Sequence, residues 1–221
     1  RTLRDCPALA ATRVRKTLSR VFDQDLYSSL TFVRQYTQEL LPTMDNNLAQ
    51  SLMRIMDCFL EPFMEKEGRD APKPEAVETC VDEIEARFIF ALVWSVGCTG
   101  AADSRRRYDA WLRAQLTTNQ VALKFPESGD VYDYVWVADG ANGGAWKKWM
   151  QTIDEYKIDN KLSFSELIVP TADSVRSTYI LAKLLQKRYH VMLCGETGTG
   201  KTVSISQYLQ GSSTCEGEKI A

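Results

Sequence analysis

The chain has 221 residues, 44% of them hydrophobic and 25% charged, an ordinary balance for a globular protein of one or two domains with a real core. A formal net charge of −2 gives no electrostatic reason to expect nucleic acid, no apolar stretch reaches the roughly 20 residues that cross a bilayer, and no signal peptide is visible. Six scattered cysteines without a C-x-x-C pair, and His190 as the single histidine, argue against zinc, a Cys-His nucleophile pair and a disulfide framework, and suit a reducing, cytosolic setting.

The first half reads as helices. Leu9, Val14, Leu18, Val21 and Phe22 form one apolar stripe at helical spacing, and Leu26, Leu30, Val33, Tyr36 and Leu40 form a second. After Pro42, Asp45 is placed to cap a helix whose core face is Leu48, Leu52, Ile55, Met56, Phe59 and Phe63. Residues 65–75, "EKEGRDAPKPE", are polar with two prolines and read as a loop. A long helix follows from about Ala76 and turns almost wholly apolar at "FIFALVWSVG", which marks it as the central buried helix, ended by Gly97 and Gly100. Asp103 or Ser104 then caps a helix that carries Tyr108, Trp111, Leu112 and Leu116 on one face. The run Ser104-Arg105-Arg106-Arg107 on it reads as a solvated face.

The texture changes after Gln120. In "VYDYVWVADGANGGAWKKWM", aromatic and β-branched residues flank the turn residues 139–144, the pattern of a β-hairpin. Trp136, Trp146 and Trp149 near two lysines could stack on bases, but cross-strand packing explains them without a ligand. Five large aromatics within twenty residues predict a rigid connector instead of a flexible linker. A short strand, Pro170 and a cap at Thr171 or Asp173 then lead into a helix through Lys187.

The most specific signal comes near the end. Gly195-Glu196-Thr197-Gly198-Thr199-Gly200-Lys201-Thr202 fits the phosphate-loop pattern G-x-x-x-x-G-K-[ST] at every position. Val191 to Cys194 reads as a buried parallel strand, with Cys194 as a small apolar strand residue, and Val203 to Leu209 as the helix that follows. The glycines let backbone amides turn around the phosphates of ATP or ADP, the helix N-terminus adds partial positive charge, Lys201 neutralises phosphate, and the Thr202 hydroxyl is a magnesium ligand. Hydrolysis also needs an acidic strand end and an arginine from a neighbour. The nineteen residues after Thr202 hold no apolar strand ending in Asp or Glu, and Asp139 would precede the loop in an unusual order, so no catalytic residue is assigned. The nucleotide-binding core reads as unfinished, and Arg1 in place of a starting Met points to a piece of something longer.

Taken alone, "GETGTGKT" with "QYL" is similar to the first motif of DEAH-box RNA helicases, but the helical half and the charge do not suit that class. A nucleotide-binding interaction module that does not hydrolyse is the other alternative. The whole chain resembles dynein heavy chains. The stretches that carry the resemblance are "LPTMDNNLAQSLMRIMDCFL", "FIFALVWSVGCTGAADSRRRYDAWL", "FPESGDVYDYVW", "GGAWKKWM" and "ELIVPTADSVRSTYILAKLL", in the family's order from about Leu26 to Leu209 and with an axonemal texture. The resemblance implies an α/β P-loop NTPase (AAA+) fragment: residues 1–118 as the all-α lid of the second module, 119–160 as a β-hairpin connector, and 161–221 as the opening of the third module. It implies that Ile168, Val169, Pro170 and Thr171 lie against the adenine, and it allows an arginine among Arg105 to Arg107 to reach the second module's nucleotide. It further implies a regulatory third site in a minus-end-directed motor of the cilium or flagellum axoneme. The partners would be neighbouring modules, microtubules and dynein intermediate and light chains, with no nucleic acid or membrane.

Overall fold

Leu48, Leu52, Ile55, Met56 and Phe59 are spaced to face one way from a helix, and all five are buried in the computed structural model, which describes residues 12–60, 81–121, 123–138, 144–154, 169–195 and 197–209. Their helix is α3 (Asp45–Phe59), preceded by α1 (Thr12–Arg20) and α2 (Tyr27–Tyr36), which a π-helical turn at Val21–Leu26 joins. Leu9, Phe63, the start of the central helix before Val81, the hairpin turn at 139–143 and the strand expected before Pro170 lie outside the described residues.

The centre of the helical half is α4 (Val81–Ser95), in which Ile84, Phe88, Ile89, Phe90, Leu92 and Val93 are almost fully enclosed. Helices α1 and α3 pack on it, and Phe22 meets Phe88 edge to face at 4.9 Å. Three buried charges, Asp25, Glu85 and Arg87, share this interior. Arg87 donates to the Phe59 carbonyl (2.8 Å) and pairs with Glu83, while Arg20 pairs with Glu85 and lies 3.8 Å from the buried Asp25. Asp25 sits in the π-helical turn and accepts from Asn119 (2.6 Å); burial raises its pKa. A buried carboxylate needs such partners, because an uncompensated one is strongly destabilising.

Helix α5 (Ala102–Thr118) buries Tyr108, Leu112 and Leu116 as expected, while Trp111 stacks on Phe32 at 4.7 Å. The expected caps are corrected. Met44, not Asp45, occupies the cap position of α3, and Asp45 is its first helical residue, held by Arg34 at 2.7 Å. Ala101 precedes α5, and neither Asp103 nor Ser104 caps it; the Ser104 hydroxyl instead accepts from the Gln38 amide at 3.0 Å, tying the loop after α2 to α5. Tyr36 and Leu40 are exposed, because α2 stops at Tyr36 before their stripe is complete.

β1 (Tyr134–Ala138) and β2 (Gly144–Lys148) form the antiparallel hairpin, with Trp136 opposite Trp146 and their rings edge to face at 5.3 Å. Cross-strand packing is therefore what this pair does. Trp149 does not continue the strand. It opens a short 3-10 turn and is buried against Phe90, Trp94 and Tyr179, with its indole N–H on the Tyr132 carbonyl at 2.9 Å. The segment before the hairpin is pinned to α5 by Arg113, which donates to the carbonyls of Pro126 (2.7 Å) and Gly129 (2.8 Å) and pairs with Asp109. Asp109 in turn accepts from the Val131 amide at 2.8 Å. These contacts tie the described residues before the hairpin to α5.

Two helices follow, α6 (Ala172–Gln186) and α7 (Lys201–Leu209), which pack against each other. Thr171 caps α6, its hydroxyl accepting from the Ser174 amide at 3.2 Å while the Ser174 side chain reaches back. Helix α6 rests on the helical half: Val175 joins the main hydrophobic cluster, Tyr179 meets Trp149 at 5.3 Å, and Arg176 lies over Trp94. No helix among the described residues is long and apolar enough to cross a membrane.

Candidate functional site

The candidate site is the loop between α6 and α7. Gly198 and Gly200 have φ of +84° and +78°, left-handed backbone that a side chain disfavours, and among the described residues a Cβ at either would meet nothing within 4 Å. These glycines serve backbone direction and leave open space over the loop, as a cradle for an anion requires. Helix α7 starts at Lys201, two residues before the expected Val203, so its first turn is part of the motif. The Ser204 amide and hydroxyl both reach the Gly200 carbonyl, at 3.0 and 3.2 Å, fixing that turn. The Lys201 ammonium lies over the loop, donating to the Gly195 carbonyl (2.9 Å) and the Thr199 hydroxyl (3.1 Å). Thr202 is exposed on the first turn of α7. Glu196 is outside the described residues.

The expected parallel strand is not there. Val191 to Cys194 has no strand partner among the described residues, Met192 is 81% exposed and Cys194 is exposed. A parallel strand is defined by its neighbours, and an apolar run without them has no ladder to join. Of the residues expected to touch the adenine, Val169 is 63% exposed, Pro170 half-buried and Thr171 engaged as the α6 cap, and Ile168 lies outside the described residues. In the arginine run, Arg106 and Arg107 are exposed, with Arg106 on Asp103 and Arg107 on Ser104, whereas Arg105 lies half-buried over the Tyr132 ring.

The stem of the loop holds what sequence reading missed. Tyr189 donates its hydroxyl to Asp57 on α3 at 3.1 Å, under the guanidinium of Arg54. Burial, and next the Asp57 carboxylate, push this phenol up to about 12, so it stays a donor at neutral pH. Next to Asp57 on α3, the Cys58 thiol contacts the Lys183 carbonyl of α6 at 3.3 Å. No spacing rule pairs positions 57 and 189; only the docking of α6 on α3 does.

Residues 18–151 match the family profile described as dynein heavy chain AAA lid domain. The chain belongs to the dynein heavy chain family. Residues 156–219 match a second profile, the P-loop containing dynein motor region. This dynein segment is 36% identical to dynein axonemal heavy chain 1 of Homo sapiens, over 86% of the chain and 5% of that protein, and equally so to its Mus musculus counterpart. Dynein axonemal heavy chain 3 of Homo sapiens is 29% identical over 81% of the chain and 5% of its own length. The segment thus spans about a twentieth of these relatives, as a lid followed by a P-loop motor region, and the helicase alternative is not favoured.

Proposed function

We infer that this segment binds ATP and ADP with magnesium at residues 195–202, and joins two consecutive AAA+ modules of an axonemal dynein heavy chain. Residues 1–118 are the lid of the second module, 119–160 the connector, and 161–221 the opening of the third. The observation that carries the nucleotide reading is the loop itself: two left-handed glycines with open space above them, closed by Lys201 at the first turn of α7. Gly195, Glu196, Thr197, Gly198, Thr199 and Gly200 supply the backbone cradle, and Lys201 neutralises phosphate charge. Thr202 would hold a magnesium ion through its hydroxyl, and that ion would screen the phosphate charge. Val169, Pro170 and Thr171, with Ile168, form the adenine side.

The exposed Met192, Val203, Ile205 and Leu209 support the module reading, since a parallel core sheet with its helices would cover such side chains. We assign no catalytic residue to the segment. Its site is regulatory, tuning microtubule release in a motor whose force-generating hydrolysis lies elsewhere in the heavy chain, together with neighbouring modules and intermediate and light chains in the axoneme. The test is calorimetric titration of ADP and ATP into wild-type protein and Lys201→Ala. Loss of at least tenfold in affinity is expected, because a charge-assisted contact to phosphate is removed; unchanged affinity refutes the assignment.

A further inference from the structure

The chain leaves α6 by a route that lacks its usual residue. Arg188 has φ +59° at the position after the helix cap where glycine is favoured, and two hydrogen bonds close the turn: Arg188 amide to Leu185 carbonyl at 2.8 Å, and Tyr189 amide to Leu184 carbonyl at 3.0 Å. A left-handed arginine is strained backbone, held only where surrounding contacts determine it. The contacts here come from α3. The Tyr189 hydroxyl is on Asp57 and its ring under Arg54, while Cys58 reaches the last turn of α6 at Lys183. Six residues beyond Tyr189 the phosphate loop begins, and residues 190–194 between them pair with no strand among those described. Among the described residues, Tyr189 is thus the last of the stem with a side-chain hydrogen bond to the helical half.

We propose that Tyr189 and Asp57 form a latch that sets the direction of the loop's stem and transmits its phosphate occupancy to α3. This rests on the nucleotide reading above. Tyr189 is a positioning residue, acting on bound phosphate only through the backbone it holds. By reciprocity, a latch that reports occupancy to α3 must also alter affinity at the loop when it is broken.

The experiment is a double-mutant cycle in the full chain with Tyr189→Phe and Asp57→Ala, reading ADP affinity by calorimetry and α3 amide exchange with and without ADP. Tyr189→Phe keeps the ring and removes only the hydroxyl. Each single variant should change ADP affinity about fivefold, the low end of usual coupling, and the double variant by no more than either alone. ADP should alter exchange in α3 of the wild type but not of the variants, and Asp57→Asn, which keeps an acceptor, should restore part of the response. Additive effects, unchanged affinities, or an α3 response that survives in Tyr189→Phe would overturn the latch. Lys201→Ala separates the two claims: if wild-type binding of ADP does not depend on Lys201, the nucleotide reading fails. The latch is then judged by ligand-free exchange at residues 190–194, which accelerates in Tyr189→Phe if the fastening is real and stays the same if it is not.

Discussion

Replacing Trp149 by Ala should open the joint between the helical half, the hairpin and α6 together. Its side chain is 1% exposed, its ring lies 5.3 Å from Tyr179, 6.1 Å from Phe90 and 6.1 Å from Trp94, and its N–H holds the Tyr132 carbonyl. Truncating a buried tryptophan to Ala costs about 3–5 kcal/mol through lost transfer energy and the cavity left. Leaving the buried Tyr132 carbonyl without its donor costs about 1–3 kcal/mol. The two are not fully additive, since a cavity can admit water to the carbonyl, so the expected loss is about 4–6 kcal/mol. That is a large share of the roughly 5–15 kcal/mol that stabilises a typical domain. Trp149→Phe keeps most of the ring contact and should lose only about 1–2 kcal/mol, largely the hydrogen bond. The assay is amide hydrogen exchange, with opening free energies read in peptides from α4, β1 and α6. Those three elements should loosen together in Trp149→Ala, and α3 peptides should loosen less. A loss below about 1 kcal/mol, or one confined to β2, would refute the claim that this one side chain joins the three.

Gln120 ends α5 with φ +53°, its amide on the Thr117 carbonyl and the Val121 amide on Leu116, so Gln120→Gly should stabilise by about 0.5–1 kcal/mol by relieving left-handed strain, less the extra chain entropy of glycine. A lowered urea midpoint in that variant would contradict the assignment. Tyr108 is 1% exposed and donates to Ser29, and burial, the largest cause, raises its pKa well above the ordinary tyrosine value near 10. Its folded state keeps a proton that the unfolded state loses, so this contribution to stability is complete below about pH 10 and falls as pH rises further. Tyr108→Phe should therefore show a shallower decline of the urea midpoint above pH 10, and an equal slope would place the alkaline loss elsewhere.

The helical half was legible because its signals are periodic: α3 and α4 bury the stripes that their spacing announced, and the hairpin pairs the two tryptophans on either side of its turn residues. The caps were misread for a physical reason. Asp45 and Ser104 are good capping residues by type, but each is engaged at longer range, Asp45 by Arg34 and Ser104 by the Gln38 amide, and a propensity cannot anticipate a competing partner. Trp149 was read as strand because it follows alternating residues, whereas the pocket among Phe90, Trp94 and Tyr179 draws it out of the ladder. At the site, the glycines and Lys201 were readable from the motif alone. The Arg188 turn was not, since nothing in the type of that residue marks left-handed backbone.

The placement of α6 decides how far an event at the loop can travel. One end of the helix is seated in the aromatic cluster through Val175 and Tyr179, and the other touches α3 through Lys183 and Tyr189. On the proposed reading, phosphate at the loop would act first on Lys201 and the first turn of α7, which packs on α6. Interiors packed at crystal-like density shift as bodies and do not deform smoothly, so α6 has two options: stay with the helical half, or leave it by giving up the Trp149 pocket. The second option carries most of the cost worked out for Trp149→Ala, more than the 1–3 kcal/mol that typically couples two sites. If the loop takes nucleotide as proposed, motion driven from it would then be carried by the helical half and α6 together, and the freedom to respond would lie in residues 190–194, between the latch and the first glycine.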